Sequence, residues 1–159
     1  MNILKKLSRK FCRASAKSPF ISNNIRIALL RRTGISIGKD VVINEGITIV
    51  CDIGWEEHII IEDRVAIASN VSLIATSHPN NSSLRSYSKQ YPFMEVFGSI
   101  QIGHDSWLGA SVSVLPNVII GSCSIVGTGA VVTRDVPENC VVTGVPAKIM
   151  RRLDLEEII

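Results

Sequence analysis

Residues 102–132 read IGHDSWLGASVSVLPNVIIGSCSIVGTGAVV, and an aliphatic residue returns at every sixth position: Ile102, Leu108, Val114, Ile120, Val126 and Val132. Four residues after a beat comes another small or β-branched residue, as at Val112, Val118 and Ala130. Six is not a helical period, because successive beats would rotate around the helix axis. It is a multiple of the strand period of two, so each repeat returns its aliphatic to one inner face. The position after the beat is often glycine (Gly103, Gly109, Gly121, Gly127), which suits a sharp turn between short strands. The spacing predicts an all-β solenoid whose turns stack at about 4.8 Å.

The same beat runs upstream through Ile61, Ile67 and Leu73, and before that through Ile37, Ile43 and Ile49. Two gaps interrupt it. Between Ile49 and Ile61 the stretch WEEHII (55–60), which contains His58, lacks the pattern and reads as a bulge or small loop. Between Leu73 and Ile102 one hexad is followed by 23 further residues, and the insertion loop is assigned to 79–99. His78, in ATSHP (75–79), is the last residue of that hexad. A lone histidine in a polar stretch is ordinarily a solvated loop residue, but this one stands where the repeat breaks off. The insertion holds Tyr87, Tyr91, Phe93 and Phe97, four of the eight aromatics in the chain. It is therefore expected to pack on a neighbouring subunit or a ligand.

A chain of 159 residues suits one domain. Hydrophobic residues make up 46% but aromatics only 5%, so the core must be built from Val, Ile and Ala. Cys12, Cys51, Cys123 and Cys140 form no CxxC pair and no zinc-like spacing, and read as reduced apolar residues of a cytosolic protein. No apolar run approaches the length of a membrane span, and the basic N-terminus lacks the apolar stretch of a signal peptide.

The net charge of +3 hides an asymmetry. Residues 1–33 hold nine Lys or Arg and no acid; the remaining 126 carry eight basic and fourteen acidic side chains, a net of −6. This N-terminal arm precedes the repeats. Ile3, Leu4, Leu7 and Phe11 fall on one side of a helical pattern, with Lys5, Lys6, Arg9, Lys10 and Arg13 around it. Pro19 breaks the pattern, and SNNIRIALLRRTG (22–34) reads as a second helix, capped near Ser22 or Asn23 and ended by Gly34. The second helix is expected to cap the open solenoid end. The first either lies on an anionic membrane surface or wraps a neighbouring subunit. Nucleic acid is not an expected partner, since no aromatic interleaving or known binding fold supports it.

The hexads, together with SWLGASVSVLPNVIIGSCSIVGTGAVVTRDVPENCVVTGVPAKIMRRL (106–153), resemble the hexapeptide-repeat acyltransferases, most of all the maltose and galactoside O-acetyltransferases and their relatives in polysaccharide synthesis. The resemblance covers roughly residues 34–152. It implies a left-handed parallel β-helix at 34–145 with a protruding loop, a short C-terminal helix at 146–159, and a cytoplasmic homotrimer binding acetyl-CoA between adjacent subunits. It implies that His78 takes the proton of a sugar or glycan hydroxyl as that oxygen attacks the thioester directly. Asn44 and Asp52, in INEGITIVCD (43–52), match positions that hold the acceptor sugar, although the chain departs from the family directly after Asp52. The alternative is that Asn44 turns a solenoid corner and Asp52 caps a bend.

On the donor side the resemblance puts Trp107 near the site and the Ala110 N–H on the thioester oxygen. Gly127, Thr128, Thr133 and Arg134 would line the pantetheine arm, with Lys148 and Arg151 at the phosphates of coenzyme A. The alternative for Lys148, Arg151 and Arg152 is a solvated helix face.

Serine O-acetylation or amino-sugar N-acetylation would keep the fold and donor and change the acceptor. A metal-dependent hydratase of carbonic anhydrase type would need His58, His78 and His104 to converge on one ion, and they lack the spacing expected of ligands, so no metal is expected. His104 reads as an outward hexad residue.

Overall fold

A computed structural model describes residues 3–155. Two helices lead: α1 (Ile3–Ala16) and α2 (Asn23–Thr33). The chain then coils through β1 (Ser36–Ile37), β2 (Val42–Ile43) and β3 (Thr48–Val50), and again through β4 (Ile59–Ile61), β5 (Ala66–Ile67) and β6 (Ser72–Ile74). A small ladder of β7 (Thr76–Ser77) and β8 (Val96–Phe97) closes the base of the insertion. Two further coils follow, β9 (Ile100–Ile102), β10 (Trp107–Leu108) and β11 (Ser113–Val114), then β12 (Val118–Ile120), β13 (Ile125–Val126) and β14 (Val131–Val132). The chain ends with β15 (Cys140–Thr143) and β16 (Lys148–Arg152).

Each coil visits three sheets in turn. Face one is β1-β4-β9-β12, face two is β2-β5-β10-β13-β15-β16, and face three is β3-β6-β11-β14. All pairings within these faces are parallel except β15–β16. The hexad beat is the register of these faces: Ile37, Ile61, Ile102 and Ile120 align on face one, Ile43, Ile67, Leu108 and Val126 on face two, and Ile49, Leu73, Val114 and Val132 on face three. All twelve are buried, and so are Val112, Val118 and Ala130 four residues after their beats. Aliphatic side chains stacked in register fill a narrow prism in which few aromatics would fit.

The glycines beside the beat serve a different purpose from the one expected. On the edge between faces one and two the left-handed corner position belongs to Asp40, Arg64, Asp105, Cys123 and Asn139, at φ of 54–59°. Gly103 is needed for space: a Cβ there would lie 2.6 Å from the backbone nitrogen of Ser122 on the next coil.

The first coil is closed by α2. Asn23 imitates a strand against β2, donating to the Val41 carbonyl and accepting from the Ile43 N–H, both at 2.9 Å. Arg26, buried, donates to the carbonyls of Ala16, Ser18 and Ile43 at 2.7–2.9 Å. A cation that satisfies carbonyls left open by two chain segments ties the arm to the solenoid. In α1 the inward side is Cys12 and Ala16, with Arg9 and Arg13 half-buried, whereas Ile3, Leu4, Leu7 and Phe11 are 59–73% exposed. No helix among the described residues is long and apolar enough to cross a membrane.

The expected C-terminal helix is not formed at 148–152; residues 156–159 lie outside the described residues. Gly144, at φ 99°, reverses the chain, and β16 pairs antiparallel with β15. The open edge of face two offers main-chain partners to a segment with no helical period, and strand pairing satisfies both.

Candidate active site

Face three ends at one edge in Val50–Asp52 and, one coil on, in Ile74–His78. The Ala75 N–H donates to the Val50 carbonyl at 2.8 Å, which keeps the two segments in step. Thr76 is buried, and its hydroxyl accepts from the Asp52 N–H at 3.0 Å. Asp52 and His78 therefore emerge side by side, with Asp52 Oδ1 3.1 Å from His78 Nε2. The His78 side chain is 31% exposed, enough for a small acceptor to reach it. With the proton on Nε2 shared with the carboxylate, Nδ1 keeps a lone pair free to accept another. The pair opens into a cleft of about 220 Å³ lined also by Asn80, Asn81, Arg85, Glu95 and Phe97. A larger cleft of about 720 Å³ lies between α2 and the first coil, but its lining, including Arg31 and Asp40, holds no histidine or thiol.

The WEEHII stretch explains how Asp52 keeps its place despite the added residues. Glu56–His58 forms a 3-10 turn. Trp55 stacks on His58 at 3.8 Å, meets Phe97 edge-on at 5.3 Å, and donates from Nε1 to the Gly98 carbonyl at 3.0 Å. The bulge is thus bound to the base of the insertion. On its other side it is bound to α1. Glu56 is fully buried; its Oε2 accepts from Arg9 at 2.9 Å and from the Gly54 N–H at 2.6 Å. Its Oε1 has no hydrogen bond and lies 3.8 Å from Arg13 Nε. Arg13 also donates to the Cys51 carbonyl at 2.9 Å and lies 3.2 Å from the Cys51 sulfur. Burial pushes the Cys51 thiol up to about 11, with Arg13 acting in the opposite direction. The thiol beside Asp52 is therefore neutral at pH 7 and no nucleophile.

The other expected site residues distribute over the prism in an ordered way. Asn44, Ala110, Gly127 and Thr128 all follow strands of face two and stack along the edge between faces two and three. Thr133 and Arg134 follow β14 and lie along the opposite edge of face three, the edge of Asp52 and His78. Trp107 projects from face two, 54% exposed. Across that face Trp107 aligns with Ile125, Ile125 with Val141, and Val141 with Arg151. A register shift in β16 pairs Lys148 with Thr143 and Arg151 with Val141, two positions apart on β15. Three residues apart on a plain strand, these cations would point to opposite faces; the bulge puts both on the outer side with Trp107. Within one chain, then, His78 and Asp52 come together, and Asn44 and the donor-side residues of face two lie across face three from them.

The histidines do not gather into a metal site. His58 is stacked in the bulge and His104 pairs with Asp105 at 2.8 Å on the edge between faces one and two. Among the described residues one group of three potential ligands, His104, Asp105 and Cys123, lies close together. Its carboxylate is already held by Arg64 in a two-pronged bond at 2.6 and 2.7 Å, and that guanidinium, with His104, keeps Asp105 down at about 2. Thr76, Arg85, Glu56 and the two arginines of α1 escaped the sequence reading, because none carries a repeat phase and their partners lie far along the chain.

The protein is a three-faced coil of hexapeptide repeats with a histidine–aspartate pair at one edge. The family described as bacterial transferase hexapeptide (six repeats) matches residues 99–134. Galactoside O-acetyltransferase of Escherichia coli (strain K12) is 38% identical over 122 residues, covering 77% of this chain and 56% of that protein. A solved galactoside acetyltransferase in complex with coenzyme A is 29% identical, with a TM-score of 0.74 over 95% of this chain and 82% of that one. A maltose O-acetyltransferase from Clostridium difficile 630 is 26% identical, with a TM-score of 0.65 over 98% and 90%. The chain spans about half the length of the curated relatives it matches. The chain carries the hexapeptide repeat and is similar, in sequence and in fold, to the maltose and galactoside O-acetyltransferases.

Proposed function

We propose that this protein is an acetyl-CoA-dependent O-acetyltransferase acting on a hydroxyl of a sugar or glycan, with His78 as general base. The observation that carries the reading is the 3.1 Å pair of His78 and Asp52 beside a polar cleft at the end of a hexad coil. Asp52 holds one ring nitrogen and fixes the imidazole plane; the other takes the acceptor proton as its oxygen attacks the thioester carbon. The oxyanion of the tetrahedral intermediate meets the Ala110 N–H, which donates to no acceptor among the described residues. Collapse expels the thiolate of coenzyme A, and the imidazolium returns the proton to it. Asn80, Asn81, Arg85 and Glu95 offer the mixed donors and acceptors that saccharide hydroxyls need. Trp107 would lie near the site, Gly127, Thr128, Thr133 and Arg134 would line the pantetheine arm, and Lys148 and Arg151 would meet the phosphates as point charges on one face.

The same reading includes a left-handed coil and a homotrimer. Support for the trimer comes from the division of these residues between two edges of face three. One chain cannot bring both edges to one acetyl group, whereas a second copy laid alongside can. Asn44 then belongs with the donor edge of one subunit facing the His78 edge of another.

The test is thiol release from acetyl-CoA with a panel of sugars, glycans, serine and amino sugars. A sugar or glycan hydroxyl is expected to give the highest kcat/KM, and serine or an amine doing so would replace the acceptor assignment. His78→Ala is expected to lower turnover by about 10² to 10⁴ with acetyl-CoA binding nearly unchanged. Turnover close to wild type would end the general-base role.

A further inference from the structure

The first helix is mounted with its apolar side outward. At about 100° of rotation per residue, Ile3, Leu7 and Phe11 form one stripe, and Cys12, Ala16 and the two clamp arginines lie on the opposite side. The burial agrees: Cys12 and Ala16 are 4% and 0% exposed, while Ile3, Leu7 and Phe11 are 73%, 59% and 69% exposed. Such a helix ordinarily turns its apolar stripe to the core. Here Arg9 and Arg13 must reach Glu56, and their ion pairs fix the rotation that leaves the stripe in water. Phe20, in the turn between the helices, adds a ring that is 94% exposed.

The charge around the stripe is of one sign. Residues 1–33 contain no acid. Arg9 and Arg13 are bound to Glu56 and Arg26 to main-chain carbonyls, whereas Lys5, Lys6, Lys10 and Lys17 are exposed. Two copies of this helix face to face would set lysines against lysines. An anionic lipid surface fits both parts, offering an acyl boundary to Ile3, Leu7 and Phe11 and phosphates to the lysines. We propose that α1 is an in-plane membrane anchor: the protein docks on anionic bilayers through the outward stripe of Ile3, Leu7 and Phe11 and its flanking lysines. The helix touches the Cys51 carbonyl next to Asp52, so a docked protein holds its candidate site close to the lipid surface. The docking itself does not depend on the chemistry of that site.

Vesicle co-sedimentation of the full chain tests this. Binding is expected to vesicles of phosphatidylcholine with phosphatidylglycerol and to be much weaker to phosphatidylcholine alone, and added salt should release the protein. Leu7→Ser with Phe11→Ser should weaken binding at least about tenfold, since both side chains lose their apolar contact. Replacing Lys6 and Lys10, which border the stripe, by Gln should cost about fivefold per lysine and weaken the preference for anionic lipid. These positions are exposed, so the melting temperature and oligomeric state should not change. Failure of the wild type to bind either vesicle, or equal binding by the serine variant, overturns the proposal. A serine variant that loses its oligomeric state, with no vesicle binding by the wild type, would instead make the stripe a contact between copies.

Discussion

Around His78 the informative contrast is with its neighbour Cys51. A thiol next to Asp52 could be taken for an acyl carrier, but its burial, with a pKa near 11, keeps it protonated at working pH. Cys51→Ala is therefore expected to leave turnover within about twofold of wild type, while Asp52→Asn lowers kcat by about 10² with little change in the KM for acetyl-CoA. Steady-state kinetics of the two variants side by side checks both, and the reverse order would make the thiol the reacting group. His78 stands out as a candidate because the hexad phase breaks at it, and Asp52 because the resemblance matches it to an acceptor-holding position. That they bond to each other was not legible. Their meeting depends on Thr76 holding the Asp52 backbone and on the bulge folding back against Gly98, and neither contact leaves a periodic trace in the sequence.

Among elements, the strands of the three faces could be read from the sequence and the irregular pieces could not. A beat of aliphatics is repeated on every coil, so each coil restates the register of the last. The bulge and β16 occur once each, and both are decided by partners elsewhere in the chain: Arg9 and Arg13, 47 and 43 residues from Glu56, for the bulge, and an open sheet edge for the strand. These elements carry separate predictions. Removing Arg9 leaves Glu56 buried with a poorer partner, so Arg9→Ala should destabilise the fold by about 2–3 kcal/mol, the low side for a broken buried pair because Arg9 keeps some water. Chemical denaturation measures this; a change below about 0.5 kcal/mol would show that Arg13 alone suffices. On β16, Lys148→Gln with Arg151→Gln should raise the KM for acetyl-CoA and matter less for a donor lacking the 3′-phosphate. Equal sensitivity of the two donors would move the phosphate contact elsewhere.

For the whole molecule, the unresolved need is cover for His78. A base at the corner of a solenoid is open to water, which competes for its proton and for the thioester. The insertion is the segment placed to supply cover. Its base is the β7–β8 ladder beside His78, and Phe97 of that ladder lines the cleft. Within one chain its rings remain wet: Phe93 is 73% exposed, Tyr87 51%, Phe97 46% and Tyr91 41%. Four partly exposed rings on one loop suit a surface that a second subunit or an acceptor covers. Burying even two of them would contribute several kcal/mol at about 25 cal/mol per Å² before ordering costs. In the proposed side-by-side arrangement of subunits, this loop would reach over the neighbour's donor edge. Replacing residues 79–99 by a short Gly-Ser link should therefore weaken trimer assembly and raise the acceptor KM together. The solenoid itself should still fold, because its twelve beat residues and their register lie outside the loop. Analytical ultracentrifugation and acceptor titration on the same preparation decide it. A trimer of unchanged stability with an unchanged acceptor KM would mean that the loop covers nothing and that His78 is shielded by another part of the assembly.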